Sequence, residues 1–193
     1  MLLDTYHDER QPVARAITEQ SLINATSMGR LEQTKKSAGA RPEYLNEQGL
    51  IFGAIYTSQA IVPDGTEAPY VANPVTDYVP SARPGCRAPH VFFHHEGKQL
   101  STIDVVGQGF VLLAAGAGRP WVEAANELAC DYALPLKALS IDDGALASVY
   151  ELDSSGAVLV RPDGHVGWRS HSITRDPSST LRDAVSMILR TRN

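Results

Sequence analysis

Two cysteines, Cys86 and Cys130, are all the thiol that this 193-residue sequence holds. They stand far apart, form no Cys-x-x-Cys pair, and are too few to make a disulfide framework in a chain of this size. Basic residues are also short: 17 Lys and Arg against 22 Asp and Glu leave a net charge of −5. That balance argues against nucleic acid as a partner, because neutralising phosphates takes clustered Lys and Arg. No apolar run approaches the roughly 20 residues needed to span a bilayer. The opening Met1–Arg10 lacks the basic and then apolar sections of a signal peptide. The expectation is therefore a cytoplasmic protein that engages neither membrane nor nucleic acid. What remains is ordinary globular composition, 43% hydrophobic and 20% charged, with length for one full domain plus an extension, or two small units.

Residues 2–28 read as helix, broken or restarted at Pro12, with a partial apolar stripe at Val13, Ile17 and Ile23. A stripe of that kind needs another body to pack against. Residues 29–43, with Lys35, Lys36, Gly39 and Pro42, read as a loop or short surface helix, and Leu50–Tyr56 as a strand. From 63 to 89, prolines 63, 69, 74, 80, 84 and 89 exclude both helix and central strand. This is an extended strap, ordered only if Tyr70, Val75, Tyr78 and Val79 find a surface. From His90 the pattern becomes regular: a strand at Val91–Phe93, a turn at Glu96-Gly97-Lys98 and a connecting element over 100–106. Phe110–Ala115 is an uncharged run suited to a central strand covered on both faces. Trp121–Tyr132 has helical spacing, and the strand that follows, 134–141, implies a parallel βαβ unit with a right-handed crossover. Arg161-Pro162-Asp163-Gly164 turns a hairpin between 157–160 and 166–169. Ser178 or Ser179 caps a last helix carrying Leu181, Val185, Ile188 and Leu189, with Arg190 and Arg192 at its negative end. A strand, a βαβ unit and a terminal hairpin with helix make the ground plan of a thioredoxin-like domain. The expected fold class is thus α/β: a mixed sheet with flanking helices, preceded by a helical and extended arm. The divisions are 1–62 for the arm and its strand, 63–89 for the strap and 90–193 for the domain.

The usual chemistry of such a scaffold is missing. A reactive cysteine would stand just after the central strand, where a helix N-terminus lowers its pKa. Gly116-Ala117-Gly118-Arg119-Pro120-Trp121 occupies that place. Cys86 beside Arg87 admits a reactive-thiol reading, but a small residue in a proline-rich strap is favoured. Cys130, on or beside the apolar stripe of its helix, reads as a small hydrophobe. His90, His94 and His95 do not make a metal site, since neighbours on a strand point to opposite faces and no further ligands are spaced with them. Gly107-Gln108-Gly109 precedes a strand instead of following one, and Gly116-Ala117-Gly118 lacks the acidic partner of a dinucleotide fingerprint. Asp142-Asp143-Gly144 lacks the other ligands of a calcium loop. Trp121 and Trp168 suit core or interface packing better than a ligand pocket.

Three blocks carry a resemblance: Tyr6-His7-Asp8-Glu9-Arg10-Gln11-Pro12, Arg83-Pro84-Gly85-Cys86-Arg87-Ala88-Pro89-His90, and Leu159-Val160-Arg161-Pro162-Asp163-Gly164-His165-Val166-Gly167-Trp168-Arg169. Together they resemble the C-terminal part of flavin-dependent aromatic-ring hydroxylases of the phenol 2-monooxygenase and chlorophenol monooxygenase kind. In that family the first block closes the flavin-binding portion, and the other two frame a thioredoxin-like domain used for packing and subunit contact. The resemblance implies FAD and NADPH for a complete enzyme, with a flavin-binding domain or subunit as partner and a homo-oligomer as assembly. It transfers no catalytic, cofactor-binding or metal-binding residue to this numbering, because the family's flavin motifs are not matched here. A stand-alone thioredoxin-like binding or assembly module without redox activity is the alternative, and a peroxiredoxin-like reductase is disfavoured by the missing cysteine.

Overall fold

The computed structural model describes residues 2–34, 43, 46–142 and 144–189, and of 2–4 and 28–34 the backbone only. The run Phe110–Ala115 (β3) sits at its centre with all six residues buried. Its uncharged side chains alternate between two cores, which is why no position along it tolerates a polar group. Phe110, Leu112 and Ala114 join one cluster with Trp121, Leu128, Trp168, Leu181 and Ile188. Val111 and Leu113 join the other with Phe93, Ile141, Leu146, Tyr150 and Val166.

β3 is an inner strand of a four-stranded sheet. β4, Leu136–Ile141, lies parallel to β3, and β5, Ala157–Val160, lies antiparallel on its other side. β6, Val166–Ser170, closes the sheet antiparallel to β5. The helix α4, Arg119–Asp131, makes the crossover from β3 to β4, and α6, Pro177–Leu189, packs beside it. The opposite face is covered by the hairpin β1–β2, Phe92–His95 and Lys98–Ser101, and by the short helices α3, Thr102–Val105, and α5, Gly144–Val149. A parallel βαβ unit followed by an antiparallel hairpin and helix is the thioredoxin-like arrangement, preceded here by a helical and extended arm.

Several local expectations are corrected. The first helix, α1, runs unbroken from Leu2 to Thr34 through Pro12. Pro12 is exposed, so the Asp8 carbonyl it leaves without an amide can be hydrated. Leu50–Tyr56 is not a strand: Gln48–Phe52 forms a helical turn, α2, and an extended segment follows. A side chain at Gly49 would stand 2.3 Å from the Pro74 carbonyl oxygen, and the Gly49 amide donates to Val75. That close approach seats the turn against the strap. The element at 100–106 is the second hairpin strand plus α3, whose start is closed by a reciprocal Ser101–Asp104 capping box. α5 had no signal in the sequence pattern. The cap of α6 is Asp176, which accepts the Ser179 amide at 2.9 Å, and neither Ser178 nor Ser179 has that role. The Lys35, Lys36, Gly39 and Pro42 segment, Asp143, Arg190 and Arg192 lie outside the described residues.

Candidate functional site

Between residues 5 and 27, α1 turns seven side chains away from solvent: Thr5, Glu9, Val13, Ala16, Gln20, Asn24 and Ser27. Their spacing of four, four, three, four, four, three is one face of a helix. The face is unusual because it is mostly polar, while Tyr6, Ile17, Leu22 and Ile23 are exposed. A polar face can be buried only where partners are waiting. Glu9 meets its partner in Arg161, which leaves the end of β5 and reaches it bidentately, with Nη1–Oε1 at 2.6 Å and Nη2–Oε2 at 2.7 Å. Both side chains are almost fully buried, at 4% and 7% exposure. Ser58 also donates to Glu9.

The same guanidinium holds Asp163 at 2.8 Å. Burial opposes ionisation of Asp163, but His165 and the charge of Arg161 hold its carboxyl down at about 2. The His165 ring stacks on Tyr56 with centroids 4.0 Å apart. Its Nδ1 stands 3.7 Å from Asp163, beyond hydrogen-bond length. The Tyr56 hydroxyl accepts from Arg10 at 3.1 Å. Burial raises that phenol's pKa, with Arg10 opposing it. The first and third sequence blocks are therefore one buried cluster.

A second tie lies at the far end of the third block. Arg169 is buried and donates through Nε to Asp64 at 2.7 Å and through Nη2 to Thr66 at 3.1 Å. Its Nη1 reaches Glu151 at 2.9 Å. Burial pushes the Asp64 carboxyl up, but hydrogen bonds from Thr66 and Arg169 leave it below its ordinary range. Between the two ties, the second block is stitched to the start of β6. The Gly85 amide donates to Val166, the Val166 amide to Cys86, and the Ala88 amide to Gly164. Gly85 has φ +96°, and an added Cβ would stand 2.1 Å from the Tyr56 carbonyl oxygen. Only glycine fits there.

This arrangement pairs its charges and buries them. Burial pushes the Cys86 thiol up, with the Arg83 guanidinium only partly opposing it. Cys130, expected on or beside the helix's buried stripe as a small hydrophobe, is exposed. His90 and His94 are exposed and His95 half-buried, and among the described residues no group of three His, Cys, Asp or Glu is placed to hold a metal. Trp121 and Trp168 meet edge to face at 5.1 Å inside one core, with the Trp121 indole donating to the Ser155 carbonyl. The loop after β3 does not fit a dinucleotide phosphate. The Ala117 and Gly118 amides already donate to Ser154 and Ala115, and an added Cβ at Gly116 would stand 2.6 Å from the Asp142 carboxylate. A phosphate would meet an acid and spent donors.

The pairing of Glu9 with Arg161 was not anticipated from sequence. Its signals were an acid inside the Asp8-Glu9-Arg10 charge group and a lone arginine ending the apolar run Ala157–Val160. Either is ordinary alone, and nothing local links positions 152 residues apart.

Comparison with known proteins gives a consistent result. Residues 81–191 match the family model described as aromatic-ring hydroxylase, C-terminal. The chain is 36% identical to aklavinone 12-hydroxylase RdmE of Streptomyces purpurascens, over 97% of this chain and 35% of that protein. It is 38% identical to tetracenomycin B2 monooxygenase-dioxygenase of Streptomyces olivaceus, over 97% of this chain and 34% of that protein. The crystal structure of aklavinone-11 hydroxylase with FAD and aklavinone superimposes with a TM-score of 0.78 at 34% identity, covering 98% of this chain and 35% of that one. The chain thus spans about a third of the length of the relatives it matches. Among the described residues, no helix is long and apolar enough to cross a membrane.

Proposed function

This chain belongs to the aromatic-ring hydroxylase family, matching its C-terminal part, and from that membership we propose that it is the structural and subunit-contact part of an FAD- and NADPH-dependent monooxygenase of phenol-type rings. The flavin is held by other polypeptide, either a flavin-binding domain or a separate subunit, and the assembled enzyme is a homo-oligomer. When bound there, FAD supplies the oxygen chemistry. The residues of this chain exclude water and hold α1 in place. The observation that carries the reading is the buried Glu9–Arg161 pair, 2.6 and 2.7 Å in its two contacts. It fixes α1 to the thioredoxin-like body, so whatever is continuous with α1 is oriented by that body. Arrested, mutually neutralised charges suit a brace and do not suit a reaction centre.

The test adds FAD and NADPH to the purified chain. The chain alone is expected to pass through gel filtration colourless and to show no phenol-dependent NADPH oxidation. A yellow preparation that turns over would overturn the reading.

A further inference from the structure

The strap that crosses residues 63–89 does more than link two parts of the chain. With α2 it frames a cavity of about 60 Å³, lined by Phe52, Ile55, Pro69, Val71, Tyr78 and Arg87 among others. Small-molecule pockets run to roughly 300 Å³ and more. This one has room for the end of one apolar side chain. Its walls are firm: the Phe52 and Tyr78 rings stand 5.6 Å apart, and the Arg87 guanidinium lies 5.8 Å over Phe52. Around it, apolar side chains face solvent, with Tyr70 at 88% exposure, Ile51 at 58% and Val79 at 46%. A preformed apolar pocket ringed by exposed hydrophobes is how a docking face receives an anchor residue.

The occupant follows from chain length and connection. The relatives are about three times as long as this chain, and the family model matched is C-terminal. Their additional polypeptide therefore enters through α1. Both faces of the β4-β3-β5-β6 sheet are already covered, by α4 and α6 on one side and by the β1–β2 hairpin and α5 on the other. The Val62 amide occupies the edge of β6 by donating to Gly167. α2 is joined to α1 by the Asn24–Glu47 hydrogen bond at 3.0 Å, and α1 itself exposes Ile17, Leu22 and Ile23. We propose that the face formed by α2 and the strap docks the flavin-binding portion of the complete enzyme, with one apolar side chain of that portion seated in the cavity. This inference rests on the functional reading above.

The experiment replaces the matched third of aklavinone 12-hydroxylase RdmE with this chain, and compares amide exchange in the full-length chimera and in the chain alone. Amides in 49–53 and 69–79 are expected to exchange at least tenfold more slowly in the chimera. Tyr70→Asp in the chimera should remove most of that protection, whereas Met187→Asp on α6 should not. Equal exchange in chimera and chain, with FAD retained after gel filtration, overturns the docking face and leaves the functional reading intact. Loss of FAD from the unsubstituted chimera overturns the functional reading, and protection persisting there would still support the face. Protection that grows with concentration in the chain alone assigns the face to a second copy and overturns the proposal.

Discussion

Arg161 neutralises two carboxylates together, Glu9 and Asp163. Replacing it by leucine leaves the Glu9 carboxylate at 4% exposure without its cation. Removing one member of a buried pair costs about 3–5 kcal/mol. Denaturant titration of Arg161→Leu should show a loss of that size. Arg15→Ala breaks an ion pair of similar length, 2.8 Å, but between side chains at 78% and 61% exposure. Solvent screens that exposed pair, so no measurable change is expected there. Comparable losses in the two variants would refute the role given to burial. Acid should act through the carboxylates. Asp163 is held down at about 2 in the folded chain, against about 3.9 for a free aspartate. A depressed carboxyl stabilises the fold at pH above the unfolded value, and that contribution fades as pH falls through the folded one. Asp163→Asn should therefore flatten the fall in melting temperature between about pH 4 and pH 2. An unchanged slope would assign acid sensitivity to other groups.

At the scale of elements, the fold was readable wherever a segment's own chemistry decided its fate. The uncharged run Phe110–Ala115 could only be a strand covered on both sides, and the Pro162–Gly164 turn could only reverse the chain. Segments failed where a distant surface decided. Gln48–Phe52 is apolar enough for a strand, but Gly49 is drawn onto the Pro74 carbonyl and its amide donates to Val75. α1 was expected to break at Pro12, yet anchors on either side, Glu9 before it and Val13, Ala16 and Gln20 after it, keep the helix continuous. The candidate site was legible as three blocks but not as one cluster, because the contacts that unite them span up to 152 residues. Pro12→Ala tests the account of α1. It restores an amide donor to Asp8 in a helix interior, where proline costs up to about 3 kcal/mol relative to alanine. Calorimetry should show a higher melting temperature. A lower one would mean that the proline ring makes a contact the helix depends on.

For the whole molecule, the two arginine ties set which parts unfold together. Arg169 fastens the strap through Asp64 and Thr66, and Arg161 fastens α1 through Glu9. Apart from Val13 and Ala16, the inward stripe of α1 over residues 5–27 is polar, so hydrophobic burial does little to hold that stretch in place. Loss of the Glu9–Arg161 pair should free α1 before it disturbs the two cores, which contain none of the described side chains of α1. Trypsin reports this directly, because Arg10 and Arg15 are exposed in side chain but protected by helical backbone. In the unsubstituted chain, cleavage at these sites should be slow and should track global unfolding. In Glu9→Ala it should become fast at temperatures where the near-ultraviolet signal of Trp121 and Trp168 is still native. The products would then be short N-terminal peptides and a resistant body containing β1 to α6. If the tryptophan signal and the helix are lost together in Glu9→Ala, α1 is not a separately fastened element, and the body does not hold it through this pair.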